Sequence, residues 1–314
     1  MVKLGVGDSY DKTVIDQKVR AYFDLTKPAS SVGIMLAIPF AAILYGELYY
    51  GSGATYMFDN WRTVIFAATT MFLLHGGAQT LNMAEDAEMD MASEHKQNRP
   101  IPAGIVTEEE ARSIAWILIM AGVTRAFITN VSFGLYAVVL AFFGIFYNLS
   151  PLRMKKRLWL NIVWQAVSRG LLLYPAAFAA FGKPLSPIAW GMGVVAFLLV
   201  LSMQQTADFS DVEMDERYGI ITPAVHYGLE RLVYIMAGIV LMMFSVLTLF
   251  IDVGIVPNFW SLYLLFIPIG WSLWSLYREP GEMNSLSDNH SSWYLYYFCL
   301  ASMYMLPAAQ LTLF

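Results

Sequence analysis

The chain has 314 residues, of which 14% are charged and 58% hydrophobic, with a mean hydropathy of +0.54. A soluble domain is roughly a quarter charged and about 45–50% apolar, so the composition excludes an ordinary soluble enzyme and places the chain in a lipid bilayer. The single cysteine, Cys299, excludes an intrachain disulfide, and a net charge of −5 on so apolar a chain gives no reason to expect a nucleic-acid partner.

The first 25 residues are too polar for a signal peptide, which needs a basic start, a short apolar run and a small-residue cleavage site, so the mature protein is expected to begin here with a cytoplasmic tail. Over residues 10–27, Ile15, Val19, Tyr22 and Phe23 lie on one side and Lys12, Asp16, Lys18 and Arg20 on another. This pattern predicts an interfacial amphipathic helix. Residues 1–27 are thus read as a tail and 28–314 as one transmembrane domain.

Apolar runs of about 20 residues, the length that crosses a hydrocarbon core of about 30 Å, are placed at 28–50, 61–83, 108–129, 131–147, 159–181, 185–206, 231–252, 256–277 and 291–313. The expected fold is all-α, with nine transmembrane helices around a central cavity. In "TNVS" (129–132) the Asn and Ser suit a helix stop and a new cap. Pro100 and Pro102 break the helix after the second span. The chain re-enters a helix at Thr107, with Glu110 three residues on as a capping box; the loop between can lie over a cavity mouth as a lid. Lys and Arg gather in the N-terminal tail and in the loops after spans two, four, six and eight, whereas the other side offers Arg62, Arg125 and Lys183. The positive-inside rule then puts the N-terminus in the cytoplasm.

Two acidic clusters fall on that same side, "LNMAEDAEMD" (81–90) and "DFSDVEMD" (208–215). Asp86 and Asp90 precede Asp211 and Asp215 by 125 positions each, which suggests a duplicated four-helix unit plus one further helix. On a helix Asn82, Asp86 and Asp90 share a face, as do Asp208, Asp211 and Asp215. A single cluster reads most simply as a solvated loop. Two in matching register suggest five carboxylates and an amide around one cavity, a hard-oxygen set suited to Mg²⁺. Glu88 falls on another face, and Glu85 fits either role. The flanking Lys96, Arg99, Arg153, Lys155 and Arg217 obey the positive-inside rule and equally suit a diphosphate. Arg169, well inside the fifth span, either lines the cavity or bridges helices.

"NMAEDAEMD" with "NRPIPAG" eight residues after its last Asp resembles the first Asp-rich motif of the UbiA superfamily of intramembrane prenyltransferases. "DFSDVEMDERYGIITPAV" resembles the second, and "YNLSPLRMKKR" (147–157) is similar to the basic loop between helices four and five, in the form of the chlorophyll synthase branch. Met83 departs from the pattern, where many relatives carry Asp. The resemblance implies a nine-helix protein whose active site opens near the cytoplasmic face. It implies transfer of a prenyl group from a prenyl diphosphate to an aromatic, tetrapyrrole or lipid acceptor. Asn82, Asp86, Asp90, Asp208, Asp211 and Asp215 would hold Mg²⁺, with Asp86, Asp90, Asp211 and Asp215 catalytic. Lys96, Arg99, Tyr147, Arg153, Lys155 and Arg217, with Arg169, would bind substrate. A terpene cyclase of the same fold, which needs no acceptor, is the main alternative. A cation transporter fits less well, because Arg169 and His75 stand nearly alone inside the spans.

Overall fold

The structure is a computed structural model that describes residues 12–93, 96–282 and 290–313; the predicted tail before residue 12, with Lys3, lies outside them. Every regular element among the described residues is helical. Helix α1 (Lys12–Leu25) precedes α2 (Pro28–Tyr50), the short α3 (Gly53–Asp59) and α4 (Trp61–Glu85). Then come α5 (Ala87–Ala92), α6 (Glu108–Thr129) and α7 (Val131–Asn148). The second half runs α8 (Leu158–Ala166), α9 (Leu173–Ala180), α10 (Pro187–Met203), α11 (Val212–Arg217), α12 (Pro223–Tyr227), α13 (Leu229–Asp252), α14 (Phe266–Arg278) and α15 (Ser292–Leu313).

Among the described residues, six continuous segments are long and apolar enough to cross a bilayer: α2, α4, α6, α7, Pro187–Asp208 and α13. The other three predicted spans take different forms. The fifth is broken into α8 and α9 by a π turn, Val167–Leu171. The eighth opens as a 3₁₀ helix, Trp260–Leu265, before α14. The ninth, α15, has 22 residues and Pro307 within it. A sequence period of 3.6 cannot distinguish one extra residue per turn, so the π insertion was invisible to the pattern.

Asn130 starts α7 by accepting the Phe133 N–H at 2.8 Å, as expected of its cap. Thr107 accepts the Glu110 N–H at 3.1 Å, as in a capping box, and the Glu110 carboxylate has further partners. It receives Lys18 Nζ at 3.0 Å and the Tyr22 hydroxyl, tying α1 to α6. Ala21 and Leu25 of α1 bury against Met83, Ala84, Ile101 and Ala111, whereas Ile15, Val19 and Phe23 stay exposed. The tail helix is therefore docked along one side and offers the other as an apolar surface, the arrangement an interfacial helix needs.

The core runs through the middle of the bundle, where α2, α9, α10, α13 and α15 bury Tyr45, Phe178, Met203, Met236 and Tyr296. Close approach depends on small residues. A Cβ on Gly170 would stand 2.5 Å from Phe197 Cα, and one on Gly193 would strike the Leu171 carbonyl. With no hydrophobic force between helices in lipid, such backbone contact is a main source of packing energy. It also fixes the π turn against α10.

Candidate active site

The two acidic clusters have the same local form. Asp86 caps α5 with φ −103° and ψ 6°, and Asp211 caps α11 with φ −106° and ψ 2°. In each, the residue four on returns its N–H to the cap carbonyl at 2.8 Å, Asp90 to Asp86 and Asp215 to Asp211. The long segments end within the clusters, α4 at Glu85 and Pro187–Asp208 at its last residue, and a six-residue helix follows each, with Asp90 and Asp215 buried.

Both clusters line one cavity with about 1450 Å³ of empty space, its open mouth included. Lys96 joins them: its Nζ lies 3.6 Å from Asp90 and 2.8 Å from Asp211. Arg99 pairs with Asp90 at 2.7 Å and Lys155 pairs with Asp86. Asn82 Nδ2 donates to Asp86 at 2.8 Å and to Asn148 Oδ1 at 3.0 Å. On the far side Asp208 Oδ2 is buried with no hydrogen-bond partner. Burial, then the neighbouring Asp211, pushes the Asp215 carboxyl up to about 7. Burial works against the Lys96 charge, but Asp211 and Asp90 outweigh it and hold that ammonium above its ordinary range.

Of the residues singled out in the sequence, Asn82, Asp86, Asp90, Lys96, Arg99, Tyr147, Lys155, Arg169, Asp208, Asp211 and Asp215 line the cavity. Arg153 and Arg217 stand apart from its wall. Arg217 is exposed, because two residues after Asp215 it points to the opposite side of α11. Arg153 takes a left-handed φ of 37° just before the 3₁₀ turn that carries Lys155. Of the aromatic residues in the first five spans, Phe143, Tyr147 and Trp164 reach the cavity; Phe142 is exposed, and Tyr174 and Phe178 are core.

The sequence reading missed part of the wall. Lys27, in a left-handed conformation (φ 46°) before Pro28, faces the cavity. Burial and the nearby Arg99 push its ammonium down to about 8. Deeper in, Tyr147 donates to Asn161 at 3.0 Å, and Gln165 reaches both at 3.1 Å. His75 contacts Ser30 and Gln79, and Trp293 and Tyr297 enter from α15. The available signal was polar residues recurring inside apolar spans, which a bilayer penalises unless they face a cavity.

The donor set fits Mg²⁺: carboxylate oxygens, an amide, and a buried carboxylate oxygen without a partner. Among the described residues no three such groups close around one point. The chain alone therefore forms no finished ion cage, as suits an ion that keeps waters and shares substrate phosphates.

Comparison with known proteins agrees with this picture. The chain is 24% identical over 214 residues to a digeranylgeranylglyceryl phosphate synthase of Methanosphaera stadtmanae, covering 68% of this chain and 71% of that one. It is 24% identical over 242 residues to the chloroplastic chlorophyll synthase of Arabidopsis thaliana, covering 75% and 60%. Its fold is similar to that of a UbiA homologue from Archaeoglobus fulgidus bound to GPP and Mg²⁺. The TM-score is 0.67 at 15% identity, covering 93% of this chain and 99% of that one. The sequence pattern of the UbiA prenyltransferase family matches residues 40–293, and the chain is an integral membrane member of that family of prenyltransferases.

Proposed function

We propose that this protein transfers a prenyl group from a prenyl diphosphate to a hydrophobic acceptor, with Mg²⁺, at a site near the cytoplasmic face. The observation that carries the reading is Lys96, whose single ammonium meets both acidic clusters and so makes them two walls of one cavity. Residues 28–314 would form one domain of nine spans, with the N-terminus cytoplasmic. The matched backbone at Asp86 and Asp211 supports descent of the two clusters from a duplicated four-helix unit.

Asn82, Asp86, Asp90, Asp208, Asp211 and Asp215 would hold Mg²⁺, which when bound neutralises charge on the diphosphate. Lys96, Lys155, Arg99 and Lys27 present cations along the same wall, where they would bind phosphate oxygens and stabilise the charge that gathers on the leaving group. Below them Phe143 and Trp164 offer π faces, 4.4 Å apart between ring centroids, beside the apolar Met71, Leu74 and Leu140. This part of the cavity excludes water and suits an electron-poor allylic carbon. Trp164 is held in place by its indole N–H, which donates to the Phe143 carbonyl at 2.7 Å.

Product analysis tests the reading. Purified protein given geranyl diphosphate, Mg²⁺ and a panel of aromatic and lipid acceptors should form a prenylated acceptor with release of diphosphate. A hydrocarbon or terpene alcohol in high yield, with no prenylated acceptor, would establish the cyclase instead.

A further inference from the structure

Prenyl transfer releases a proton as well as a diphosphate. The acceptor's oxygen or ring carbon bonds to the allylic carbon, and the electron pair of the broken C–O bond leaves with the diphosphate. The acceptor atom is then one proton too rich, and in a cavity that excludes water that proton needs a lone pair in the wall. The carboxylates at the mouth meet cations, as Asp86, Asp90 and Asp211 do. Deeper in, Arg169 is a cation, and the amides of Gln165 and Gln204 are not bases. Among the described residues His75 is the one histidine that lines the cavity.

His75 projects from the middle of α4, where that helix meets the start of α2: a Cβ on Gly76 would stand 3.1 Å from Thr26 Cβ. The His75 Nε2 lies 3.1 Å from Ser30 Oγ and 3.2 Å from the Gln79 amide. Ser30 directs its own proton to the Lys27 carbonyl at 3.0 Å, so its oxygen is left to accept the imidazole N–H. That hydrogen bond puts the ring proton on Nε2 and the lone pair on Nδ1. Gln79 meets the same N–H through its oxygen when its amide is turned over. Among the described residues no hydrogen bond from the protein reaches Nδ1.

The depth of His75 matches the task. It precedes Asn82 by seven residues on one unbroken helix, which puts both on one face and about 10 Å apart along the axis. Asn82 marks the level of the acidic clusters, whereas Met71 and Leu74, beside His75 on α4, line the apolar part with Phe143 and Trp164. In a poised complex the attacking atom stands ~3–3.5 Å from the carbon, opposite the leaving group, and its base lies ~2.6–3.2 Å beyond. The base therefore belongs about 6–7 Å past the reacting carbon. A diphosphate held at the level of Asn82 puts its first carbon a few ångströms deeper, and His75 at the remaining distance. The acceptor atom becomes strongly acidic once it begins to bond an electron-poor carbon, so the placing of the lone pair matters more than its strength.

We propose that His75 is the general base of the transfer, its Nδ1 taking the proton that the acceptor sheds as it bonds to the allylic carbon. The inference rests on the prenyl-transfer reading of the same cavity. It is tested on the full chain in lipid nanodiscs, with geranyl diphosphate, Mg²⁺ and two acceptors that carry a proton on the attacking atom, 4-hydroxybenzoate and a prenylated glycerol phosphate. His75→Gln keeps a polar group for Ser30 and removes the base; His75→Ala removes both. The single-turnover rate of prenylation should fall ~100-fold or more in each, while Mg²⁺-dependent binding of geranyl diphosphate stays within about twofold. Imidazole in the buffer should restore His75→Ala ~10-fold or more and leave His75→Gln, whose side chain fills the place, unchanged. A ring that only joins α4 to α2 gives the opposite result, with His75→Gln active and no rescue. If His75→Ala fails to fold, His75→Gln decides alone. Wild-type speed in His75→Gln, or a loss in folded His75→Ala that imidazole does not repair, overturns the base and leaves the transferase standing. So does prenylation confined to an acceptor's carboxylate, which has no proton to shed. A terpene alcohol or hydrocarbon in place of either prenylated product overturns the transferase and the base with it.

Discussion

Asp86 and Asp211 hold equivalent places, each capping a short helix that carries a second buried carboxylate. Replacing either with Ala removes a carboxylate that would hold Mg²⁺ and takes an ion-pair partner from a lysine, Lys155 or Lys96. Activity is expected to fall by ~100-fold or more in each variant, while both still fold in membranes, which steady-state assay and a thermal unfolding curve together would check. Lys27 makes a pH prediction. It is cationic below about pH 8 and neutral above, because burial and Arg99 lower it. Affinity for a prenyl diphosphate should therefore weaken as pH rises through 8, seen as a rise in donor KM. Lys27→Arg should move that loss above the accessible pH range; an unchanged profile would remove Lys27 from the site. The acidic residues were legible in the sequence because charge beside a bilayer has few explanations. Lys27 was not, since the positive-inside rule alone accounts for a lysine at that end of α2.

At the scale of elements, the π turn between α8 and α9 organises the floor of the cavity. Gly170→Val would drive a branched side chain into the Phe197 backbone, where nothing can rotate away. Overpacking of this kind costs ~1–3 kcal/mol, so a lowered thermal midpoint is expected, together with loss of activity from a displaced Arg169. Helix existence and most boundaries were legible from runs of apolar residues. The breaks were not, because the π turn and the 3₁₀ starts at Trp260 and Gln204 are set by packing against neighbours rather than by local composition. The same limit explains Gln79, Asn161 and Gln165. Each is an isolated polar residue in an apolar run, and only the assembled bundle shows that they share a cavity.

For the whole molecule, the distribution of Lys and Arg predicts a cavity mouth on the cytoplasmic side. Cys299 is fully buried, so engineered cysteines report on topology without interference from the native thiol. Lys156→Cys, in the loop before α8, should react with a membrane-impermeant maleimide only from the cytoplasmic side, and Lys183→Cys only from the other; the reverse pattern would invert the orientation. The fold of the bundle gathers two acidic segments, 125 residues apart in the chain, around one cavity. Equilibrium binding of labelled geranyl diphosphate to the full chain, with and without Mg²⁺, tests it most directly. Binding should depend on Mg²⁺, and Asp86→Asn and Asp211→Asn should each weaken it strongly. Binding that ignores Mg²⁺, or that survives intact when either cluster is neutralised, would contradict it.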